Sequence, residues 1–275
     1  MRRLRVALLA AVASLLTLAV AGLRRARRRA AGIPLSPVTA GARVGADFPE
    51  RAGLTTGEEP AGEMDDMAHY ARDGFDPERV HPSVRAFYES TSDYPMTATV
   101  TWHRGFRLGA ALAARVTSAV EQLNLPGPFA ASTVALTSRF ADVRADADPR
   151  DDVRAWVRTD RETGEAVFVA LYGSYERDGE RYVTVAVPLP WANLSTVLRL
   201  DHHDGDGAGA TGVALTTLSG DDPGLYLVTP LGTLALPLEQ RFTVRPDGDG
   251  VRATQTMWVR GVRFLTIEYD AERDA

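Results

Sequence analysis

Three Trp-x-Arg units, Trp102-His103-Arg104, Trp156-Val157-Arg158 and Trp258-Val259-Arg260, have the residue types and spacing to recognise a small molecule. Side chains two apart on a strand project from the same face. A tryptophan would hold an apolar body while its arginine met a carboxylate or phosphate with a planar fork of donors. The competing arrangement stacks each arginine on a tryptophan at a sheet rim, with the guanidinium in water. Convergence separates the two. If at least two of Arg104, Arg158 and Arg260 enter one cavity lined by their tryptophans, each needs a partner, because an unpaired buried charge costs on the order of several kcal/mol. A ligand head group could be that partner.

Other candidate chemistry is less complete. Asp201-His202-His203-Asp204-Gly205-Asp206-Gly207 offers carboxylate and imidazole donors in one run, but such sites draw ligands from several elements, and this run reads as a solvated acidic turn. His81 could serve as a general base, yet the following Pro82 marks a helix entrance. Ser174 and Ser195 lack a Gly-x-Ser-x-Gly elbow, and the glycines at 205–212, 248 and 250 form no phosphate loop. No catalytic residue, metal set or cofactor is assigned. The chain has no cysteine, which removes disulfides, thiolate catalysis and cysteine-bound zinc.

The elements that must position these residues begin with an address. An uncharged apolar run at 6–23 lies between Arg2, Arg3 and Arg5 and the cluster Arg24, Arg25, Arg27, Arg28, Arg29. Eighteen helical residues span roughly 27 Å, enough to cross a bilayer. Ala19-Val20-Ala21 would suit signal cleavage, but the arginines that follow argue for an uncleaved signal-anchor with the domain on the cytoplasmic side. After residue 30 the chain carries 36 acidic residues against 23 arginines, a net charge of −13. That surface would be repelled by phosphate backbones, so nucleic acid is excluded as a partner.

Residues 31–75, rich in Gly, Pro, Ala and acid, read as a flexible tether with one short helix near 64–70. A helix is expected from Pro82, with Val84, Phe87 and Tyr88 on one face, and a strand from Met96. Leu108, Leu112, Val116, Val120 and Leu123 recur at helical spacing and give the clearest amphipathic helix. From Ser132 onward strands predominate, at 134–140, 153–158, 167–175, 181–187, 195–200, 212–218, 225–229, 242–245, 251–259 and 263–269. The turns containing Asp178-Gly179 and Asp247-Gly248 mark hairpins.

Several blocks taken together resemble a known family: residues 80–88, Gln122-Leu123-Asn124-Leu125-Pro126, residues 153–158, Val187-Pro188-Leu189-Pro190 and residues 257–266. They resemble the soluble C-terminal region of YndJ-like bacterial membrane proteins over residues 76–270, and more weakly a domain of unknown function found after saccharopine-dehydrogenase-like reductases. The resemblance implies no established activity or site residues. YndJ-like proteins have several apolar segments where this chain has one.

The fold expected is mainly β (α+β), a curled antiparallel sheet or barrel at 76–275 with one or two packed helices, after a transmembrane anchor at 1–30. The function expected is binding of an amphipathic, lipid-like small molecule or a membrane partner at Trp102, Arg104, Trp156, Arg158, Trp258 and Arg260. A hydrolase or isomerase using His81 or the His202/His203 turn is one alternative, and a structural or assembly protein another. The expected location is the cell membrane, single-pass.

Overall fold

Alternation of inward and outward side chains, punctuated by tight turns, builds this domain. In the computed structural model, which describes residues 2–127, 129, 132–203 and 211–273, the strands are β1 (Met96–Trp102), β2 (Ser132–Asp142), β3 (Asp151–Asp160), β4 (Ala166–Arg177), β5 (Glu180–Leu189), β6 (Ala192–His203), β7 (Gly212–Thr216), β8 (Gly224–Thr229), β9 (Gly232–Leu236), β10 (Leu238–Asp247), β11 (Gly250–Val259) and β12 (Val262–Ala271). Every pairing between them is antiparallel. The order β5-β4-β3-β2-β1-β12-β11-β10-β7-β6 closes on itself through β5 and β6, giving a ten-stranded barrel, with β8 and β9 laid beside β6. Closure removes the edges that an open sheet would expose.

The hairpins follow from local chemistry. Asp178 (φ 53°) and Gly179 (φ 76°) lie between the paired Arg177 and Glu180, and Arg260 (φ 49°) and Gly261 (φ 76°) lie between Val259 and Val262. Two successive positive φ angles match the right-handed strand twist. In β1, Met96, Ala98 and Val100 turn into the core while Thr97 and Thr99 face out, and Thr99 and Thr137 bond the hydroxyls of Thr133 and Thr159 across the outer surface.

Among the described residues four α-helices accompany the barrel: α1 (Arg2–Ala30), α2 (Phe48–Arg51), α3 (Pro82–Glu89) and α4 (Arg107–Ala119). The run at 6–23 falls largely on side chains outside the described ones, and among described residues no helix is long and apolar enough to cross a membrane. The C-terminal end of α1 rests on the barrel, where Ala30 packs with Tyr175, Tyr182 and Tyr226. α3 starts at Pro82 as expected and buries Val84, Phe87 and Tyr88. α4 forms where helical spacing placed it, but its faces are reversed. Ala110 is buried with Phe106 and Ala114 partly covered, whereas Leu108 and Leu112 stand in solvent. The helix also ends at Ala119, so Val120 and Leu123 are not part of its stripe.

Residues 31–75 do not hang free as a tether. Val38, Ala40, Val44, Phe48 and Leu54 pack on the outward-facing Val153, Ala155, Val157, Val169 and Leu171 of β3 and β4. Burying each of the larger side chains stabilises by about 1.5–3 kcal/mol, which outweighs the propensity of a Gly/Pro-rich chain to stay extended in water. The short helix expected near 64–70 is a 3₁₀ turn at Met67–Tyr70.

Gln122, just after α4, joins strands that have drifted apart. Its amide nitrogen donates to the carbonyls of Val169 (2.8 Å) and Pro188 (3.0 Å), and its amide oxygen accepts from the N–H groups of Val169 (3.0 Å) and Leu123 (3.1 Å). It thereby substitutes for the β4–β5 ladder beyond the Leu171–Ala186 pair. Gln122→Leu leaves these backbone groups buried and unpaired, so a loss of about 3 kcal/mol is expected in urea unfolding. A loss under 1 kcal/mol would show that water reaches this seam.

Candidate functional site

Strand β3 has the reverse of ordinary barrel polarity. Its outward residues Val153, Ala155 and Val157 are apolar and covered, while Arg154, Trp156 and Arg158 point into the barrel and are buried. The arrangement works only because residues 38–54 supply an apolar cover outside.

Trp156 stacks on Phe140 (4.9 Å between rings) and leans on Tyr172 (5.0 Å). The Arg158 guanidinium lies 3.6 Å from the Trp156 ring centre, with Phe168 at 5.4 Å and Tyr269 at 5.5 Å. Such an aromatic cradle holds a cation electrostatically. It leaves the in-plane donors largely unused. Nη1 reaches the Tyr269 hydroxyl only at 3.5 Å, and among the described residues Nε has no hydrogen-bond partner. Arg158 lines an interior cavity of about 140 Å³ whose wall is mostly aliphatic and aromatic, including Leu136, Val185, Leu198 and Met257, with Thr196, Gln240 and Gln255 among its polar residues.

Glu63 enters the same cavity from the N-terminal segment. Arg154 fixes that segment, donating from Nη1 to the Gly62 carbonyl (2.9 Å) and pairing with Asp65 (3.1 Å). Met64 N–H donates to the Tyr88 carbonyl, and Ser92 N–H to the Ala61 carbonyl. Gly62 is required here, because a Cβ would lie 2.4 Å from the Tyr88 carbonyl oxygen. Burial pushes the Glu63 carboxyl up to about 8, against the opposing pull of Arg158 and Arg154. Among the described residues no hydrogen bond or ion pair holds that carboxyl. The cavity therefore holds the Arg158 guanidinium beside a carboxyl whose protonated form burial favours. Burial also raises Tyr88, Tyr172 and Tyr269, keeping their hydroxyls neutral.

The three Trp-x-Arg units do not converge. Trp102 is half-buried and donates from Nε1 to the Pro126 carbonyl (3.3 Å), while Arg104 lies past the end of β1, exposed. Trp258 is also half-buried, and Arg260 occupies the β11–β12 turn, exposed. Two-residue spacing shares a face only inside a strand, and only the Trp156 unit lies wholly inside one.

The remaining candidates have structural partners. His81 caps α3, its Nδ1 accepting from Ser83 N–H (3.3 Å). His202 accepts from Asp76 N–H (3.0 Å), meets Thr211 through Nδ1 (2.9 Å) and packs on Phe75. His203 accepts from Arg245 (2.8 Å), and Asp201 pairs with Arg72 (2.6 Å). Residues 204–207 of that run lie outside the described residues. Among those described, no three His, Asp or Glu side chains gather as a metal site. The Ser174 and Ser195 hydroxyls meet Arg181 and Asn193 rather than a base. Sequence reasoning missed Glu63 and Arg154. The same-face series Arg154, Trp156, Arg158 carried a signal for Arg154, but nothing local distinguished Glu63 from neighbouring acids.

No family model matches the chain, and no solved structure matches it. The chain is similar to the uncharacterized membrane protein YndJ of Bacillus subtilis (strain 168), at 32% identity over 229 residues, which cover 82% of this chain and 41% of that protein. The chain thus spans less than half the length of this curated relative.

Proposed function

From this likeness to YndJ, we propose that the barrel is a membrane-associated receptor for a small amphipathic anion. The carrying observation is Arg158, a buried guanidinium held face-on by Trp156, with Nε unpaired among the described residues and an apolar cavity beside it. A carboxylate-sized head would take the free donors, and a short apolar body would fill the aliphatic part. A cavity near 150 Å³ accommodates a molecule of about benzene's size, so the fit is to a benzoate-like or short-chain acid rather than a full-length acyl chain.

Isothermal titration of the full chain in detergent with benzoate, hexanoate and palmitate tests this reading. Benzoate or hexanoate is expected to bind, and Arg158→Met to weaken that binding at least 30-fold while the protein stays folded, since losing one partner of a buried charge pair costs about 2 kcal/mol or more. Equal affinity in the Met variant, or tighter binding of palmitate than of either short acid, would overturn it.

A further inference from the structure

Antiparallel order places the ends of β1, β3, β5 and β11 and the starts of β2, β4, β6, β10 and β12 at one rim of the barrel. The β8–β9 turn reaches the same rim, because Val228 pairs with Asn193 at the start of β6. Outside α1, five of the seven large apolar side chains exposed among the described residues sit at this end, Phe129 and Leu218 being the others. Leu231 (90% exposed) tips the β8–β9 turn, Trp191 (73%) the β5–β6 turn and Val262 the β11–β12 turn, while Leu108 (79%) and Leu112 form the outward stripe of α4. Three separate turns and one helix face carrying exposed apolar side chains at one rim are unusual for a surface facing only water.

Charge is sorted along the same axis. Segments 102–119 and 258–265, adjacent through the β1–β12–β11 pairing and the Phe106–Phe264 ring contact, contain Arg104, Arg107, Arg115, Arg260 and Arg263 and no acidic residue. All five are exposed, and none makes an ion pair among the described residues; elsewhere Arg72, Arg139, Arg177, Arg199 and Arg252 are paired, while Arg79, Arg85, Arg241 and Arg245 are not but lie apart from one another in sequence or beside acids. Carboxylates near this end are Glu121 just after α4, paired with Arg43, Glu239 on β10, and Asp160, Glu162 and Glu165 around the β3–β4 turn. The opposite end carries Asp178, Asp247 and Asp249 at its hairpins, Asp146 between β2 and β3 and Asp151 and Asp152 at the start of β3; of these Asp146, Asp151, Asp152 and Asp247 are ion-paired with Arg144, Arg181 and Arg252, and Asp178 and Asp249 make no ion pair among the described residues. A domain of net charge −13 has therefore gathered unpaired arginines beside its exposed apolar side chains.

We propose that this rim is a docking face for an anionic lipid bilayer, with Leu108, Leu112 and Val262 entering the interface and Arg104, Arg107, Arg260 and Arg263 meeting lipid head groups. Apolar insertion combined with arginine–phosphate contact is the chemistry of interfacial binding, and Asp178 and Asp249 at the far end favour the same orientation by repulsion. The contact is separate from any anchoring through residues 1–30. The absence of cysteine allows it to be tested in the full chain.

Leu112→Cys and Asp249→Cys, at opposite ends, are each labelled with an environment-sensitive fluorophore, and the protein is reconstituted into vesicles containing nitroxide-bearing lipid. In phosphatidylcholine with 30% phosphatidylglycerol, the Leu112 label is expected to be quenched at least three-fold more than the Asp249 label. Arg104→Glu with Arg260→Glu and Arg263→Glu should abolish that difference, with circular dichroism unchanged. Equal quenching of both labels, quenching indifferent to phosphatidylglycerol or to the charge reversals, or a concentration-dependent shift of the Leu112 label without vesicles, which would mean a second copy covers the rim, each overturns the proposal.

Discussion

Asp148→Ala is expected to destabilise the protein by about 3–5 kcal/mol, because it strands a guanidinium in the interior. Arg150 donates from Nε (3.0 Å) and Nη2 (2.8 Å) to the two Asp148 oxygens, and its remaining donors reach Thr184 (2.7 Å) and the Leu171 carbonyl (3.2 Å). The Ser36 hydroxyl donates to Asp148 at 2.5 Å, and the Ser36 carbonyl accepts from Asn193. The node therefore pins the covering N-terminal segment to the β2–β3 connection, β4, β5 and β6, and the Arg150 and Asp148 side chains are at most 1% exposed. Burial pushes the Asp148 carboxyl up, but the hydrogen bonds and charge of Arg150, with Ser36, more than reverse this and hold it below the usual carboxylate range. A depressed acid contributes stability present above its unfolded pKa near 4 and lost as pH falls through its folded value. The gap between parent and Asp148→Ala should thus be largest near pH 7 and shrink below about pH 4. Asp148→Leu combined with Arg150→Met should recover most of the loss, since removing both charges ends the desolvation cost. A double variant as unstable as the single one would place the energy in the shape of the node instead of its charge.

The same node shows where sequence reading stops. Hairpins at Asp178-Gly179 and Asp247-Gly248, the Thr/apolar alternation of β1 and the start of α3 at Pro82 are decided by neighbours in sequence, so local pattern finds them. Asp148 lies in an acid-rich stretch with Asp146, Asp151 and Asp152, and its partner Arg150 is a near neighbour, but only the folded barrel and its cover select the pair for burial, by bringing Ser36 to Asp148 and Thr184 and the Leu171 carbonyl to Arg150. Glu63 is chosen from Glu58, Glu59, Asp65 and Asp66 in the same way, by the grip of Arg154 on Gly62. The reversed face of α4 has a related cause. Helical spacing identifies a stripe of large apolar residues, but which stripe meets the barrel depends on close approach, and Ala110 permits an approach that Leu112 would block. The shared direction of Trp156 and Arg158 was legible because both lie inside a strand. Arg104 and Arg260 fell just beyond strand ends, where periodicity no longer fixes direction.

Glu63→Gln is expected to stabilise the protein progressively as pH rises. The Glu63 carboxyl, raised by burial to about 8 from an ordinary value near 4.3, is favoured in its protonated form by the folded state. A raised group contributes stability fully present below its unfolded pKa and lost as pH climbs to its folded one. Glutamine has the same shape and no proton to lose. Parent and variant should unfold alike near pH 4, and the variant should then gain up to about 1.4 kcal/mol per pH unit, levelling off above about pH 8. Urea unfolding at pH 4.5, 6, 7.5 and 9 reads this directly, and a constant difference across that range would show that Glu63 ionises normally. The anion reading adds a second, separable consequence. Below about pH 8 the neutral Glu63 can donate a hydrogen bond to an anion at Arg158, and above it the Glu63 carboxylate repels that anion and competes for the guanidinium. Benzoate affinity in the parent should therefore fall by up to about ten-fold per pH unit above pH 8, while in Glu63→Gln it stays level. If the stability profiles diverge as expected but benzoate binding shows no such contrast, Glu63 is a buried acid that plays no part in holding the ligand.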